Sequence, residues 1–263
     1  MISSIREETL EAFNRLLDIM DRLRVECPWD KEQTWESLRT LTIEECYELS
    51  DAIIAESAEG IREELGDLIL HIVFYAKIAA EKKAFTLAQV LDKINDKLVF
   101  RHPHIFGDVK VDDAREVAEN WEKLKLLEGK KKRVLGGIPS GLPAIIKAYR
   151  IQDKARGIGF DWDEREQVWD KVFEEIQELK KEMLHNPDSE EVQKEFGDVF
   201  FSLINAARLY GINPENALEK TNLKFIKRFS YLEDKTLLKG RDLRGMNLEE
   251  MNQYWEEAKR ADD

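Results

Sequence analysis

The chain has 263 residues, which is enough for one large domain or two medium ones. Its formal charge of −13 argues against a nucleic-acid partner, since phosphate contacts need clustered Lys and Arg, and no apolar run approaches the 18 residues of a membrane span. The chain begins without the features of a signal peptide, and Cys27 and Cys46 form no CxxC pair, so we expect a cytoplasmic protein.

Apolar residues recur at helical spacing along most of the chain, and the alternating stretches typical of strands are scarce. The sequence therefore predicts an all-α fold. Helix starts are predicted at Thr42, Thr86 and Asn247, because each is followed three residues later by Glu or Gln, the spacing of a capping box. The predicted helices span residues 4–25, 34–57, 61–83, 87–101, 113–128, 143–156, 165–185, 189–210, 214–235 and 248–260.

A basic segment at residues 130–133 runs into a stretch rich in Gly and Pro that has no apolar period. This composition is typical of a solvated linker. The sequence therefore predicts an N-terminal domain over residues 1–128, a linker over 129–141 and a C-terminal domain over 142–263.

The two halves repeat one another. Trp29-Asp30 in the first half corresponds to Trp162-Asp163 in the second, and four further landmarks follow in the same order. Their order and near-constant separation predict a duplicated domain. The other recurring residues, first half before second, are Glu45 and Glu48 with Glu175 and Glu178, Glu64 and Asp67 with Glu195 and Asp198, Lys97 and Arg101 with Lys224 and Arg228, and Trp121 and Lys125 with Trp255 and Lys259.

The recurring carboxylates are spaced as metal ligands on two packed helices. Glu45 and Glu48 share one helix face, as do Glu64 and Asp67 on the next helix. Four carboxylates brought together repel one another unless a divalent cation neutralises them, and oxygen ligands without His or Cys favour Mg²⁺ or Mn²⁺. A single such pair is more often a solvated helix face, but the duplication favours a metal site.

The recurring basic and aromatic residues complete this pattern. Lys224 and Arg228 lie four residues apart on one helix face, and a carboxylate-bound cation with nearby Lys and Arg suits a polyphosphate. Gly66 and Gly197 both precede the Asp of the acidic motif, inside a predicted helix where glycine is unfavourable. Tight helix packing and ligand access explain these glycines equally well.

With these motifs, the chain resembles the MazG-type nucleoside triphosphate pyrophosphohydrolases of bacteria over nearly its full length. The resemblance also includes Cys27-Pro28-Trp29-Asp30, Arg101-His102-Pro103-His104 and Gly159-Phe160-Asp161-Trp162. It implies tandem MazG-like helical bundles completed by dimerisation into a homodimer. It also implies hydrolysis of NTPs and dNTPs between the α and β phosphates, giving a nucleoside monophosphate and pyrophosphate. The role that it implies is the clearance of aberrant nucleotides from the pool.

The resemblance further implies particular roles for the recurring residues. Mg²⁺, with Mn²⁺ as a substitute, would be held by Glu175, Glu178, Glu195 and Asp198, and in the first half by Glu45, Glu48, Glu64 and Asp67. The residues that would contact the nucleotide are Lys171, Val172, Phe173, Lys224, Arg228, Trp255 and Lys259, with Lys97, Arg101, Trp121 and Lys125 in matching positions of the first half.

Glu174 and Glu44 are candidates for the base that activates water, since each shares a helix face with the Glu four residues on. Two alternatives stay open. One is a helical sensor or scaffold that binds Mg²⁺–NTP without turnover, and the other is a member of the same superfamily restricted to one nucleotide, such as dUTP or dCTP.

Overall fold

The computed structural model describes residues 2–110, 117, 124, 133–238 and 243–262, and all regular elements in these residues are helical. The prediction of an all-α fold is confirmed. The chain divides into two compact units, at residues 1–114 and 115–263. In the part of the chain described, no helix has both the length and the apolarity needed to cross a bilayer.

The first unit contains six described helices. The hairpin of α3 and α4 is its centre, and α1 packs against α4. The helix predicted at 113–128 and much of the predicted linker lie outside the described residues, so the domain boundaries stay a prediction. The bounds are α1 Ile2–Glu26, α2 Pro28–Glu32, α3 Trp35–Ile54, α4 Ala58–Glu81, α5 Leu87–Arg101 and α6 Pro103–Phe106.

The second unit repeats the hairpin with α8 and α9, against which α7 packs, while α10 and α11 pack on each other. A 3₁₀ turn at Arg165–Gln167 precedes α8, and another at Leu243–Gly245 precedes α11. The bounds are α7 Ala144–Arg156, α8 Val168–His185, α9 Glu190–Leu209, α10 Pro214–Leu237 and α11 Leu248–Asp262.

Two of the three predicted capping boxes are confirmed. The Thr86 hydroxyl accepts from the Gln89 N–H at the start of α5, and the Asn247 side chain accepts from the Glu250 N–H at the start of α11. The predicted start at Thr42 is wrong. Its hydroxyl bonds the Leu38 carbonyl within α3, because the helix has already begun behind the capping box of Thr34.

The two units are filled differently. Among the described residues of the first unit, one buried cluster joins Met20 of α1, Leu38 of α3 and Phe74 of α4. In the second unit the buried side chains form two smaller clusters, one around Val168 and one around Leu179. The first hairpin is therefore supported by larger apolar side chains than the second.

Candidate active site

Each hairpin gathers carboxylates from its two helices. In the first unit Glu45, Glu48 and Glu64 each offer an oxygen, and these atoms lie within 4.8 Å of one another. We call this the first acidic cluster. In the second unit Glu175 of α8 with Glu195 and Asp198 of α9 do the same, within the same distance. We call this the second acidic cluster.

The fourth predicted ligand of each half lies beside its cluster rather than in it. In the first unit, burial and then the charge of Asp67 raise the pKa of Glu45. In the second, burial and then the charge of Glu178 raise the pKa of Glu195. Three of the four carboxylates thus converge in each unit, and the fourth is close enough to act on them electrostatically.

The first acidic cluster fits a hard divalent cation. Its donors are carboxylate oxygens alone, and one of them, Oε2 of Glu64, is buried with no hydrogen-bond partner among the described residues. Burial, followed by the charges of Glu48 and Glu45, raises the pKa of Glu64. A buried oxygen without a donor is costly, and a cation would relieve both that cost and the repulsion.

The second acidic cluster has a lysine that has no counterpart among the described residues at the first. Nζ of Lys171 lies 2.9 Å from Glu175 and 3.1 Å from Glu174, and these hydrogen bonds raise the pKa of the lysine. Lys171 lies four residues before Glu175. The residue four positions before Glu45 in the first half is Leu41, which packs against the core. In the part of the chain that the structure describes, a cation is thus placed beside the carboxylates of the second half and not of the first.

A cavity of about 710 Å³ adjoins the second acidic cluster and includes Glu175, Asp198 and Lys171 in its lining. Its remaining wall is largely apolar and contains three aromatic rings, those of Phe160, Trp162 and Phe201. Cavities of 300–1,000 Å³ are typical of small-molecule sites. The second unit therefore joins a carboxylate cluster, a lysine and an aromatic pocket.

The wall of this cavity is held by a buried arginine. Arg208 of α9 forms an ion pair with Asp161, including a bond of 3.0 Å from Nη1 to Oδ2, and its Nε donates to Oδ1 of Asn205 at 3.0 Å. Burial alone would raise the pKa of Asp161, but the bonds from Arg208 and the Trp162 backbone outweigh it and hold the pKa below its ordinary value. Asp161 and Trp162 belong to the Gly-Phe-Asp-Trp motif, so the motif shapes the pocket.

The corresponding positions of the first half carry bulkier side chains. Counted from the matched Asp198 and Asp67, His71 corresponds to Ser202 and Phe74 to Asn205. Phe74 is a core residue, and His71 is buried with Nδ1 unpaired among the described residues. Polar or short residues that line the cavity of the second unit are therefore replaced by residues that fill space in the first.

The predicted basic and aromatic ligands of the second half assemble away from this cavity. The rings of Trp255 and Phe225 lie 5.0 Å apart between α11 and α10, and Lys259 pairs with Glu256 at 2.7 Å. Neither these two residues nor Lys224 or Arg228 line the cavity.

The other predicted contacts are scattered. Val172 is buried beside Val168, whereas Phe173 is 59% exposed. In the first half, Lys97 is exposed on α5 and Arg101 ends that helix. Trp121 and Lys125 lie outside the described residues.

The two glycines of the acidic motif have open space above them. A Cβ at Gly66 or Gly197 would meet no described atom within 4 Å. Tight packing within a unit therefore does not explain either glycine, which leaves access for a ligand or for another molecule.

Most of the cavity residues were not predicted from the sequence. Gln152, Asn205 and Arg208 belong to no recognisable motif, and they meet only because α7 packs against α9. The signal that could have found them is that matching positions of the two halves carry different residue types.

The sequence profile of the MazG nucleotide pyrophosphohydrolase domain matches the chain twice, at residues 33–106 and 164–232. The chain belongs to the MazG nucleotide pyrophosphohydrolase family. Both matches contain an acidic cluster, which confirms the duplication predicted from sequence. Membership also confirms the prediction of an enzyme that acts on phosphoric anhydrides.

The names of two relatives that the match covers almost completely agree with this assignment to the MazG family. A nucleoside triphosphate pyrophosphohydrolase/pyrophosphatase MazG of Thermotoga maritima is 42% identical over 255 residues, covering 95% of this chain and 97% of the relative. A nucleoside triphosphate pyrophosphohydrolase of Escherichia coli K12 is 40% identical over 260 residues, covering 96% and 99%. An uncharacterised protein of Bacillus subtilis is 43% identical over 267 residues, covering 99% of this chain and 55% of that protein.

Proposed function

We propose that this MazG-family chain hydrolyses NTPs and dNTPs between the α and β phosphates, releasing a nucleoside monophosphate and pyrophosphate. The observation that carries the proposal is the second acidic cluster at the edge of an aromatic-walled cavity large enough for a nucleoside. The names of the relatives from Thermotoga maritima and Escherichia coli support the same reaction. Such an activity would clear unwanted nucleotides from the pool.

Mg²⁺ is the proposed cofactor, with Mn²⁺ as a substitute. Glu175, Glu195 and Asp198 would hold it, with Glu178 alongside, and Glu45, Glu48, Glu64 and Asp67 would hold its counterpart in the first unit. When bound, the ion withdraws charge from the phosphate oxygens. The oxygen-only donors and the raised pKa of Glu195 support a hard cation at this position.

Two residues of α8 are assigned to the reacting phosphates. The ammonium group of Lys171 would leave Glu174 and bind a phosphate oxygen instead, since the carboxylate and the phosphate are competing acceptors for the same donor. Glu174, freed in this way and exposed at the edge of the cluster, would take the proton of the attacking water. Glu44 is the equivalent base in the first half.

We propose that the second unit is the principal catalytic site. Among the residues that the structure describes, only its carboxylates have a lysine beside them, and core residues of the first unit stand at several of the positions that line its cavity. The first unit keeps its carboxylates, so a cation there would contribute mainly to the stability of the fold.

We propose that the protein is a homodimer. On α5 every residue from 90 to 100 is exposed, including Leu91, Ile94 and Leu98, and on α10 Phe225 and Ile226 are also exposed. An amphipathic helix with an uncovered apolar face is stabilised by burial against another surface. A second copy would also supply basic residues to a cavity that Lys224 and Arg228 of the same chain do not line.

The test is product analysis with matched variants. The purified protein is incubated with a panel of NTPs and dNTPs, with and without Mg²⁺, beside Glu175→Ala and Glu45→Ala. We expect pyrophosphate and the monophosphate, loss of both without metal or with Glu175→Ala, and much smaller loss with Glu45→Ala. Orthophosphate with the diphosphate would show that a different bond is cleaved. Binding without turnover would favour the sensor, and turnover of only dUTP or dCTP would favour the restricted enzyme.

A further inference from the structure

Gln152 presents a fixed and unpartnered hydrogen-bond acceptor in the wall of the cavity. The side chain is 6% exposed, and its Nε2 donates to the Phe201 carbonyl at 2.8 Å. Since a carbonyl accepts only, this bond fixes which end of the amide carries the oxygen. Oε1 is buried and has no partner among the described residues, a costly arrangement that a donor on a ligand would relieve.

Asn205 presents the complementary group. Its Oδ1 accepts from both Nε and Nη2 of Arg208, at 3.0 and 2.8 Å, so the oxygen is committed to the guanidinium. The Nδ2 group, with two donors, is left for other partners. Asn205 lies one helical turn from Phe201, whose carbonyl holds Gln152, and both amides line the same cavity.

We propose that the cavity beside the second acidic cluster receives the nucleobase, with Oε1 of Gln152 and Nδ2 of Asn205 as the acceptor and donor that read its Watson–Crick edge. The inference rests on the proposed function and deepens it. Phe160, Trp162 and Phe201 supply the apolar surface that a base needs, and the carboxylates and Lys171 stand at the edge where the phosphates would lie.

One donor beside one acceptor explains why such a pocket accepts several bases. Adenine and cytosine offer an amino donor next to a ring acceptor, and guanine and uracil offer a ring N–H next to a carbonyl. Each base therefore satisfies both amides in one of two orientations. The same chemistry predicts that two acceptors would favour guanine, which alone has two neighbouring donors on this edge.

Asn205→Asp tests this directly, since it keeps the oxygen that Arg208 binds and replaces the donor by a second acceptor. We expect the ratio of kcat/KM for GTP to that for ATP to rise roughly 10-fold, the effect of one unmet buried polar group. The charge-matched control is Asn14→Asp, at an exposed position of α1, which should leave the ratio unchanged. Gln152→Met replaces the amide by an apolar side chain of similar length and should lower kcat/KM for both nucleotides.

A second measurement decides the inference without turnover. Calorimetric binding of the α,β-methylene analogues of ATP and GTP, with Mg²⁺, should show the same change of ratio in Asn205→Asp. The analogues should also alter the fluorescence of the wild type by an amount that Trp162→Phe abolishes.

The outcomes separate the two proposals. If the wild type releases pyrophosphate but Asn205→Asp leaves both ratios unchanged, the base pocket is refuted and the reaction stands. If the wild type releases no pyrophosphate, the reaction is refuted, and the binding ratio still decides the pocket. The base pocket is also refuted if Gln152→Met and Asn205→Asp leave analogue binding unchanged and Trp162→Phe leaves the fluorescence change unchanged.

Discussion

Removal of the carboxylate from Asp161 should destabilise the second unit strongly. Asp161 pairs with Arg208, and the side chains of the two residues are 18% and 6% exposed. In Asp161→Ala the guanidinium would stay buried, with Asn205 as its remaining partner among the described residues. The loss of one partner of a buried ion pair costs about 3–5 kcal/mol, because the other charge is left uncompensated.

The first unit supplies a matched comparison. Arg24 pairs with Glu81, at 3.0 and 2.5 Å, but the Glu81 side chain is 39% exposed. Arg24 also donates to the carbonyls of Asp30 and Gln33 and lies 5.5 Å from the centre of the Phe74 ring. Water and these partners would replace the lost carboxylate, so Glu81→Ala should cost about 1 kcal/mol or less.

The assay is equilibrium unfolding in urea of both variants and the wild type, followed by far-UV circular dichroism and by tryptophan fluorescence. With two units, each transition is fitted separately. Asp161→Ala should shift the transition that Trp162 reports to a lower urea concentration. It should also lower the rate of NTP hydrolysis, because the cavity wall loses the ion pair that fixes it. Asp161→Asn keeps the shape of the side chain and one acceptor, so its free energy of unfolding should lie between those of the wild type and Asp161→Ala.

Equal destabilisation by Asp161→Ala and Glu81→Ala would refute this reasoning. So would a cost below about 1 kcal/mol for Asp161→Ala, since a buried arginine would then be tolerated without its partner. A full loss of activity with unchanged unfolding would instead assign Asp161 to the chemistry.

Three further predictions concern the clusters themselves. Gly66→Ala and Gly197→Ala should each stabilise the protein by up to about 1 kcal/mol in urea unfolding, since both positions are helical with open space, but only Gly197→Ala should lower activity; destabilisation by either would show that packing requires the glycine. Lys171→Leu, which copies the first half, should lower kcat/KM for ATP about 10-fold or more, and a value near that of the wild type would remove the lysine from the phosphate site. Burial and the charge of Glu178 raise the pKa of Glu195 in the folded state, so this carboxyl holds its proton more tightly in the metal-free folded protein than in the unfolded chain, where its pKa is about 4.3. The Tm of the wild type minus that of Glu195→Gln should therefore fall as pH rises from 4 to 7, and a flat or rising difference would contradict this.

Helices were predictable because their signals are local. The apolar period of α4 and α9 and the cap at Thr86 depend on residues a few positions apart, and these predictions are confirmed. Thr42 shows the limit of a local signal, since its spacing satisfies the capping pattern while an earlier cap at Thr34 has already started the helix. The short helices that begin at Pro28 and Pro103 were not predicted, because a proline marks a loop and a first helical turn equally well.

The carboxylates were predictable because the repeat selected them from 54 acidic residues. The cavity was not, since it depends on contacts such as that between Gln152 and Phe201, which lie 49 residues apart. Lys171 was predicted as a ligand only from a family resemblance. Its special place in the second half follows from the comparison with Leu41, the core residue at the matching position of the first half. Residues that differ between the halves were as informative as those that recur.

The second unit, which contains the cavity beside the acidic cluster, should differ from the first unit in its rate of degradation in a cell. A ligand that binds only the folded state adds RT ln(1 + [L]/Kd) to stability, about 2.7 kcal/mol at a concentration 100 times Kd. The first unit draws its stability from Met20, Leu38 and Phe74 whatever the supply of nucleotide, whereas the second would gain this increment only while substrate is plentiful. Proteolysis of the enzyme would then follow the nucleotide concentration, with cleavage beginning in the unit that we propose as the principal catalytic site.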